Sequence, residues 1–477
     1  MYKLKTNIIL AILFFASISY AQEKVELKNA DQLEGKVING KNVREATGNV
    51  NFEQGNIKVF CNSATQYLDE NKVELHGNVK IYQDTLTLFT SNAIYFGNDK
   101  TAVCSGGVTL KDPKATLTAN GGIYYFGPAK ALFKGNVKIT NPQYVITSNE
   151  LTWFRNTEES FAKGDVVVTT DSAVISADNI DFYKTQGKTV GISRVKIISD
   201  STTITSDTLT NLSFEKKSVA KSNVKIENQN NNIQISGDYL ENYEGKKYTF
   251  IKGNVRLVQI EKEKDTLFIY SGQMEAFRNK PEYYVAKENV EMIRDKFLSK
   301  SGYAIYAKTL IQGKENISLM IDPVVWQENM QMTGDSIHAE LNDRKIETIY
   351  VRELDSLKNT KISFVLIQNL VVPDFNNRYD QMSGKNITMF FRDGKMYYCE
   401  VNINSNSIYF LYENKKANGV NISEGEDMFI YFDADEKVEK IKIDKDPKGQ
   451  FVPETLLNTV STRLPEFNER KDRPERR

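Results

Sequence analysis

One short pattern recurs along the first half of the chain at an almost constant interval: a Gly- or Ser-containing turn, a valine, and a second apolar residue two places on. The valines are Val50, Val79, Val108, Val137, Val166, Val195, Val224 and Val255, spaced six times by 29 residues and once by 31. The segments read ATGNVNF, LHGNVKI, SGGVTL, FKGNVKI, AKGDVVV, ISRVKI, KSNVKI and IKGNVRL. The apolar partners are Phe52, Ile81, Leu110, Ile139, Val168, Ile197, Ile226 and Leu257. Nine places after each valine comes Val59, Leu88, Leu117, Ile146, Ile175, Ile204 or Ile233, until an insertion at Glu261–Asp265 breaks the register. A register held over eight copies specifies one supersecondary unit stacked on itself, because each unit can bury its apolar face only against its neighbours.

Within each unit the period is two. Val79 and Ile81, Leu86 and Leu88, and Ile94 and Phe96 alternate with Lys80, Thr87 and Tyr95, as half-buried strands do. Ser91-Asn92, Ala119-Asn120, Ser148-Asn149, Ala177-Asp178 and Ser206-Asp207 read as corners between short strands, and Gly77-Asn78, Gly135-Asn136 and Gly164-Asp165 as the turns that open units. The expected fold is all-β, an elongated, solenoid-like stack of antiparallel strands built from repeats of about 29 residues. After Val255 the cadence changes to three Gly-led hairpins, Met332–Val351, Met382–Val401 and Ser423–Ile443. The expected organisation is a cleaved leader at 1–21, the repeat array at 22–258, a degenerate continuation at 259–350, hairpin repeats at 351–450, and a charged, unstructured tail at 451–477.

The leader assignment rests on Lys3 and Lys5, the apolar run Ile8–Ile18 and the small residues of Ser19-Tyr20-Ala21, with cleavage after Ala21. That apolar run is shorter than the roughly 20 residues a membrane-spanning helix needs. Sixty-two basic against 62 acidic residues in 477 give no net charge, which argues against a nucleic-acid partner. His76 and His338 are the only histidines. Neither sits beside a recognisable nucleophile or metal motif, and His338 is expected at the surface. No enzyme activity, metal or cofactor is therefore expected. Cys61, Cys104 and Cys399 are an odd set, and Cys61 and Cys104 occupy different places in the repeat, which disfavours a bridge between them. The aromatic residues Tyr124, Tyr125, Trp153 and Phe154 read as cross-strand packing. Lys80, Lys134, Lys138, Lys163 and Lys252, near the unit openings, read as solvated edges.

The leader, the repeated GNV-apolar opening, the Ser/Thr-Asn/Asp pairs and the aromatic strand Ala93–Phe96 together resemble the OstA/LptA-like family of lipopolysaccharide-transport proteins, most clearly over residues 40–260. That resemblance implies a partly open, V-shaped β-jelly-roll in the Gram-negative periplasm. It also implies an apolar interior holding the lipid A acyl chains of lipopolysaccharide between the inner and outer membranes, and end-to-end joining to similar jelly-roll proteins or a second copy. The residues themselves allow two outcomes: the inner faces pack as a dry core, or they stand apart and line a groove. The groove candidates are Val79, Ile81, Leu86, Leu88, Leu110, Leu117, Ile139, Ile146, Val168, Ile175, Ile197 and Ile204. A sealed interior would instead mark a structural β-solenoid adhesin or scaffold. A polysaccharide lyase would need charged residues converging at one repeated offset, a pattern this array lacks.

Overall fold

The structure is a computed structural model describing residues 23–230, 232–260, 266–354, 359–370 and 372–477; the leader at 1–21 and the insertion Glu261–Asp265 lie outside the described residues. The described chain is nearly all antiparallel β-strand, with short 3-10 segments at Lys184–Gln186, Pro373–Phe375 and Glu454–Thr459. It divides into two compact units, Met1–Gly164 and Asp165–Arg477.

In the first unit each repeat is one hairpin of two long strands, such as Lys72–Gln83 and Leu86–Phe96. The sequence reading of several short strands separated by corners is corrected here. Gly77-Asn78 lies in mid-strand, where the pairing with the next strand jumps from His76–Asn92 to Val79–Thr90. Both residues are left-handed, with φ of 71° and 50°. The same double left-handed bulge recurs at 48–49, 106–107 and 135–136 in this unit, and at 193–194, 222–223, 253–254 and 288–289 in the second. The pairs Ser91-Asn92, Ser148-Asn149, Ala177-Asp178 and Ser206-Asp207 likewise fall inside strands. A bulge asks for the same positive-φ residues as a tight turn, so the two read alike in sequence. Each strand is thus bent into two arms.

The bulge also reverses the alternation along a strand. In Leu86–Phe96 the buried residues are Leu86, Leu88 and Thr90 before it and Ala93 and Tyr95 after it. Tyr95 therefore points inward, while Ile94 and Phe96, expected inside, are half-buried on the other face. One extra residue shifts every later side chain to the opposite face. Each bulge is tied to the strand before it. Asn49 Nδ2 donates to Asp31 Oδ2 at 3.0 Å, Asn78 Nδ2 to Asn62 Oδ1 at 3.4 Å and Asn136 Nδ2 to Asn120 Oδ1 at 3.5 Å. In the second unit Asn223 Nδ2 donates to Asp207 Oδ2 at 2.8 Å and Asn254 Nδ2 to Asp238 Oδ2 at 3.4 Å.

Cys61, Cys104 and Cys399 are free and buried. Burial pushes the Cys61 thiol up to about 11 and the Cys104 thiol up to about 12, so both behave as small apolar groups. Tyr124 is fully buried and meets Phe126 edge to face, with ring centroids 4.8 Å apart.

In the second unit the bent strands continue to Tyr283–Arg294. The hairpins Ser336–Asn342/Lys345–Arg352, Asn386–Arg392/Lys395–Glu413 and Lys416–Phe432/Val438–Asp444 follow. His338 is half-buried, not at the surface: it faces Ser318 across the strand pair, with Ser318 Oγ 2.8 Å from His338 Nδ1, and desolvation lowers its pKa. The tail also departs from expectation. Lys448–Pro453 adds a strand to Lys416–Phe432, and Val452 packs with Ile408, Phe410 and Val420 under Leu457, Val460 and Leu464. Beyond it, Gln381 donates to Thr462 O at 2.9 Å and accepts from Leu464 N at 2.8 Å. Gln331 does the same for Asn468 O and Arg470 N, both at 2.7 Å. The charges of the tail suggested disorder, but its interspersed leucines and these two buried glutamines supply the partners that hold it.

A Cβ at Gly135 would sit 2.7 Å from Asn120 Nδ2 on a backbone with φ of 76°, whereas one at Gly127 meets nothing within 4 Å. Gly135→Ala is expected to destabilise the protein by about 1–3 kcal/mol and Gly127→Ala to leave it unchanged, as read from urea unfolding midpoints.

Candidate binding groove

The repeat residues two and nine places after each valine are direct cross-strand partners and form a continuous row. In the first unit the row runs Phe52, Val59, Ile81, Leu88, Leu110, Leu117, Ile139 and Ile146. Of the groove candidates, Val79 lies at the bend and Leu86 at an arm tip, and together with Ile81, Leu88, Leu110 and Leu117 they are at most 3% exposed; Ile139 and Ile146 are 6% and 8% exposed. The two arms close over this row. Tyr95 on one arm donates to Gln54 Oε1 on the other at 2.6 Å, and Gln54 Nε2 donates to Gly97 O at 2.8 Å. Arg155 reaches across the mouth to Asp112 Oδ2 and Thr85 Oγ1, each at 2.8 Å. At the first strands Val25 is buried, and its carbonyl accepts from Gln66 Nε2 at 2.8 Å.

The second unit carries the same row as Ile175, Ile197, Ile204, Ile226 and Ile235, directly paired in that order. All five are half-buried, as is the candidate Val168. The row takes Ile235 where the repeat arithmetic expected Ile233, because the longer turn between these strands shifts the offset by two. At the bend, Val195, Ala220, Val224 and Leu240 stay at most 2% exposed, so the arms meet there and part towards their tips. Farther along, Leu257, Ile269 and Met292 continue the row at 1% exposure, and Arg294 Nη1 bonds Glu315 Oε2 at 2.8 Å with both side chains largely buried. The open stretch is therefore bounded within this unit.

The opposing arm was not singled out from the sequence. Its inner row is Phe182, Thr189, Asn211, Ser218, Asn242 and Thr249, paired in that order. Ser218 Oγ donates to Asn211 Oδ1 at 3.1 Å and Thr249 Oγ1 to Asn242 Oδ1 at 2.9 Å. The signal was present: six places before the repeat valine, Val73, Ala102 and Ala131 give way to Ser160, Thr189, Ser218 and Thr249. Lys188, Lys216, Lys217, Lys246 and Lys247 gather at the turns ending this arm, where Lys217 pairs with Glu241 at 3.2 Å. Of the lysines read as edges, Lys134 pairs with Glu150 at 2.9 Å and Lys252 lies over the Tyr239 ring. The open stretch thus offers one aliphatic wall, one hydroxyl- and amide-bearing wall, and a basic rim, which suits an amphiphile with apolar chains and polar linkages.

A ladder of bent antiparallel strands enclosing an apolar interior defines an all-β protein of the jelly-roll type. Residues 22–178, about a third of the chain, match the family described as OstA-like protein, so the chain carries an OstA-like domain over that stretch. No curated protein matches the chain.

Because Leu88 is fully buried and Ile204 is not, Leu88→Ala is expected to destabilise by about 2–5 kcal/mol and Ile204→Ala by about 1 kcal/mol or less. Thermal and urea unfolding of the two variants measure the difference.

Proposed function

We propose that this protein is an exported lipid carrier that holds the acyl chains of lipopolysaccharide between the inner and outer membranes, in the open stretch of its second unit. The observation that carries the reading is the in-register row Ile175, Ile197, Ile204, Ile226 and Ile235, half-exposed on an inner face opposite the hydroxyl and amide wall. Each acyl methylene buried there is worth about 0.8 kcal/mol, so a modest length of chain outweighs its solvation without covalent chemistry. The lysines at the rim suit phosphate on the head group. The OstA-like domain supports the transport reading.

The edge strand Gln32–Ile38 supports the partner side of the proposal. Among the described residues it pairs only with Lys41–Gln54, and it exposes Leu33, Val37 and Ile38, a surface suited to strand addition from a second copy or a similar protein. The scaffold reading fits the closed interior of the first unit but leaves the open isoleucine row without a use.

Ile204→Asp is expected to weaken binding of fluorescent lipopolysaccharide by about tenfold or more. Ile198→Asp, on the outer face and 43% exposed, should leave binding unchanged. Equal effects at both positions, or no saturable binding by the unmodified chain, would overturn the assignment.

A further inference from the structure

A second cavity, of about 550 Å³, lies among the hairpins of the Asp165–Arg477 unit, far along the chain from the isoleucine row. Its volume is within the range of small-molecule sites. Met330, Ile367, Met382, Met396, Ile430 and Phe432 form an apolar part of its wall. Charged side chains, among them Glu328, Lys415, Asp435, Glu436 and Lys437, also line it, and Ser407 and Asp380 stand beside the apolar group. Ser407 is only 3% exposed, and its Oγ has no hydrogen-bond partner. Asp380 accepts one hydrogen bond, from Phe410 N at 2.9 Å, leaving further acceptor positions on its carboxyl. Met382 is the cross-strand partner of Ser407, and Asp380 stands two residues before Met382. Asp380 and Ser407 therefore project from the same face of the strand pair.

Buried polar groups in folded proteins are almost always paired, and a hydroxyl without a partner beside an unsaturated carboxyl marks a place for a group that completes both. A carboxylate or phosphate would meet the Asp380 charge beside Ser407 and could not complete the two together. An ammonium could donate to both Asp380 and Ser407 Oγ but would leave the Ser407 hydroxyl hydrogen without an acceptor. A hydroxyl donates to one and accepts from the other. We propose that this cavity binds a single aliphatic chain bearing a hydroxyl, which donates to the Asp380 carboxyl and accepts from Ser407 Oγ. Desolvation raises the Asp380 pKa to about 7, with the side chain half-buried. The site is separate from the groove, and neither assignment depends on the other.

The test labels the full chain with a diazirine-bearing dodecanol and maps the adducts by mass spectrometry. Adducts are expected on peptides containing Met330, Met382 or Met396. Unlabelled 1-dodecanol should compete about tenfold better than dodecyl methyl ether, which cannot donate. Ser407→Ala removes an unpaired hydroxyl and should fold normally while that preference falls several-fold. Adducts confined to the Ile175–Ile235 row, or equal competition by alcohol and ether, would overturn the proposal. So would an unchanged preference in the Ser407 variant.

Discussion

The double left-handed bulge in the middle of every second strand is the constraint on which the rest of this structure depends. A flat antiparallel ladder would present one face to water and bury little. Bending every strand at the same offset folds the ladder over itself, so that two arms of one sheet share an interior. The bend must fall at the same place in each strand, or the arms lose register with their neighbours. That requirement explains the constant interval between valines, which stand immediately after the bulge at the point where the arms meet. The Asn and Asp side chains linking each bulge to the bend of the preceding strand hold that line of bends.

Given the bend, the contents of the arms decide whether the interior is closed. In the first unit, Val73, Ala102 and Ala131 on one arm sit within the same interior as Ile81, Leu88, Leu110 and Leu117 on the other, and all are buried. The tips add specific closures, among them Tyr95 with Gln54 and Arg155 with Asp112. In the second unit, the equivalents of the small apolar residues are Thr189 and Ser218, and the isoleucines opposite stay half-exposed. Water can satisfy a threonine or serine at an arm tip, so the drive to close is weaker there. Closure returns at Leu257 and Ile269, ending with the buried Arg294–Glu315 pair.

The carboxy-terminal hairpins follow a different economy. Their interior leaves a cavity walled in part by methionine, isoleucine and phenylalanine, and the tail is bound by Gln331 and Gln381. Methionine is adaptable in shape, which suits a lining that must fit a flexible chain. Charge in the tail is compatible with order here because Gln331 and Gln381 bind its backbone and Leu457 and Leu464 pack against the hairpin core.

The strand class, the repeat interval and the identity of the row residues were legible in the sequence, because side-chain alternation and a fixed spacing are properties of the chain itself. Ile81 and Ile197, or Val59 and Ile204, were recognisable as equivalent positions of the repeat before any pairing was known. The Gly-Asn and Ser-Asn pairs were visible too, yet their meaning was not: bulge and turn share one backbone requirement, and only the pairing of neighbouring strands distinguishes them. For the same reason Tyr95 and Ile94 could not be assigned to their faces. Which part of the row lies open depended on what stands on the opposite arm, a contact between residues far apart in sequence, and that could be decided only by the folded structure.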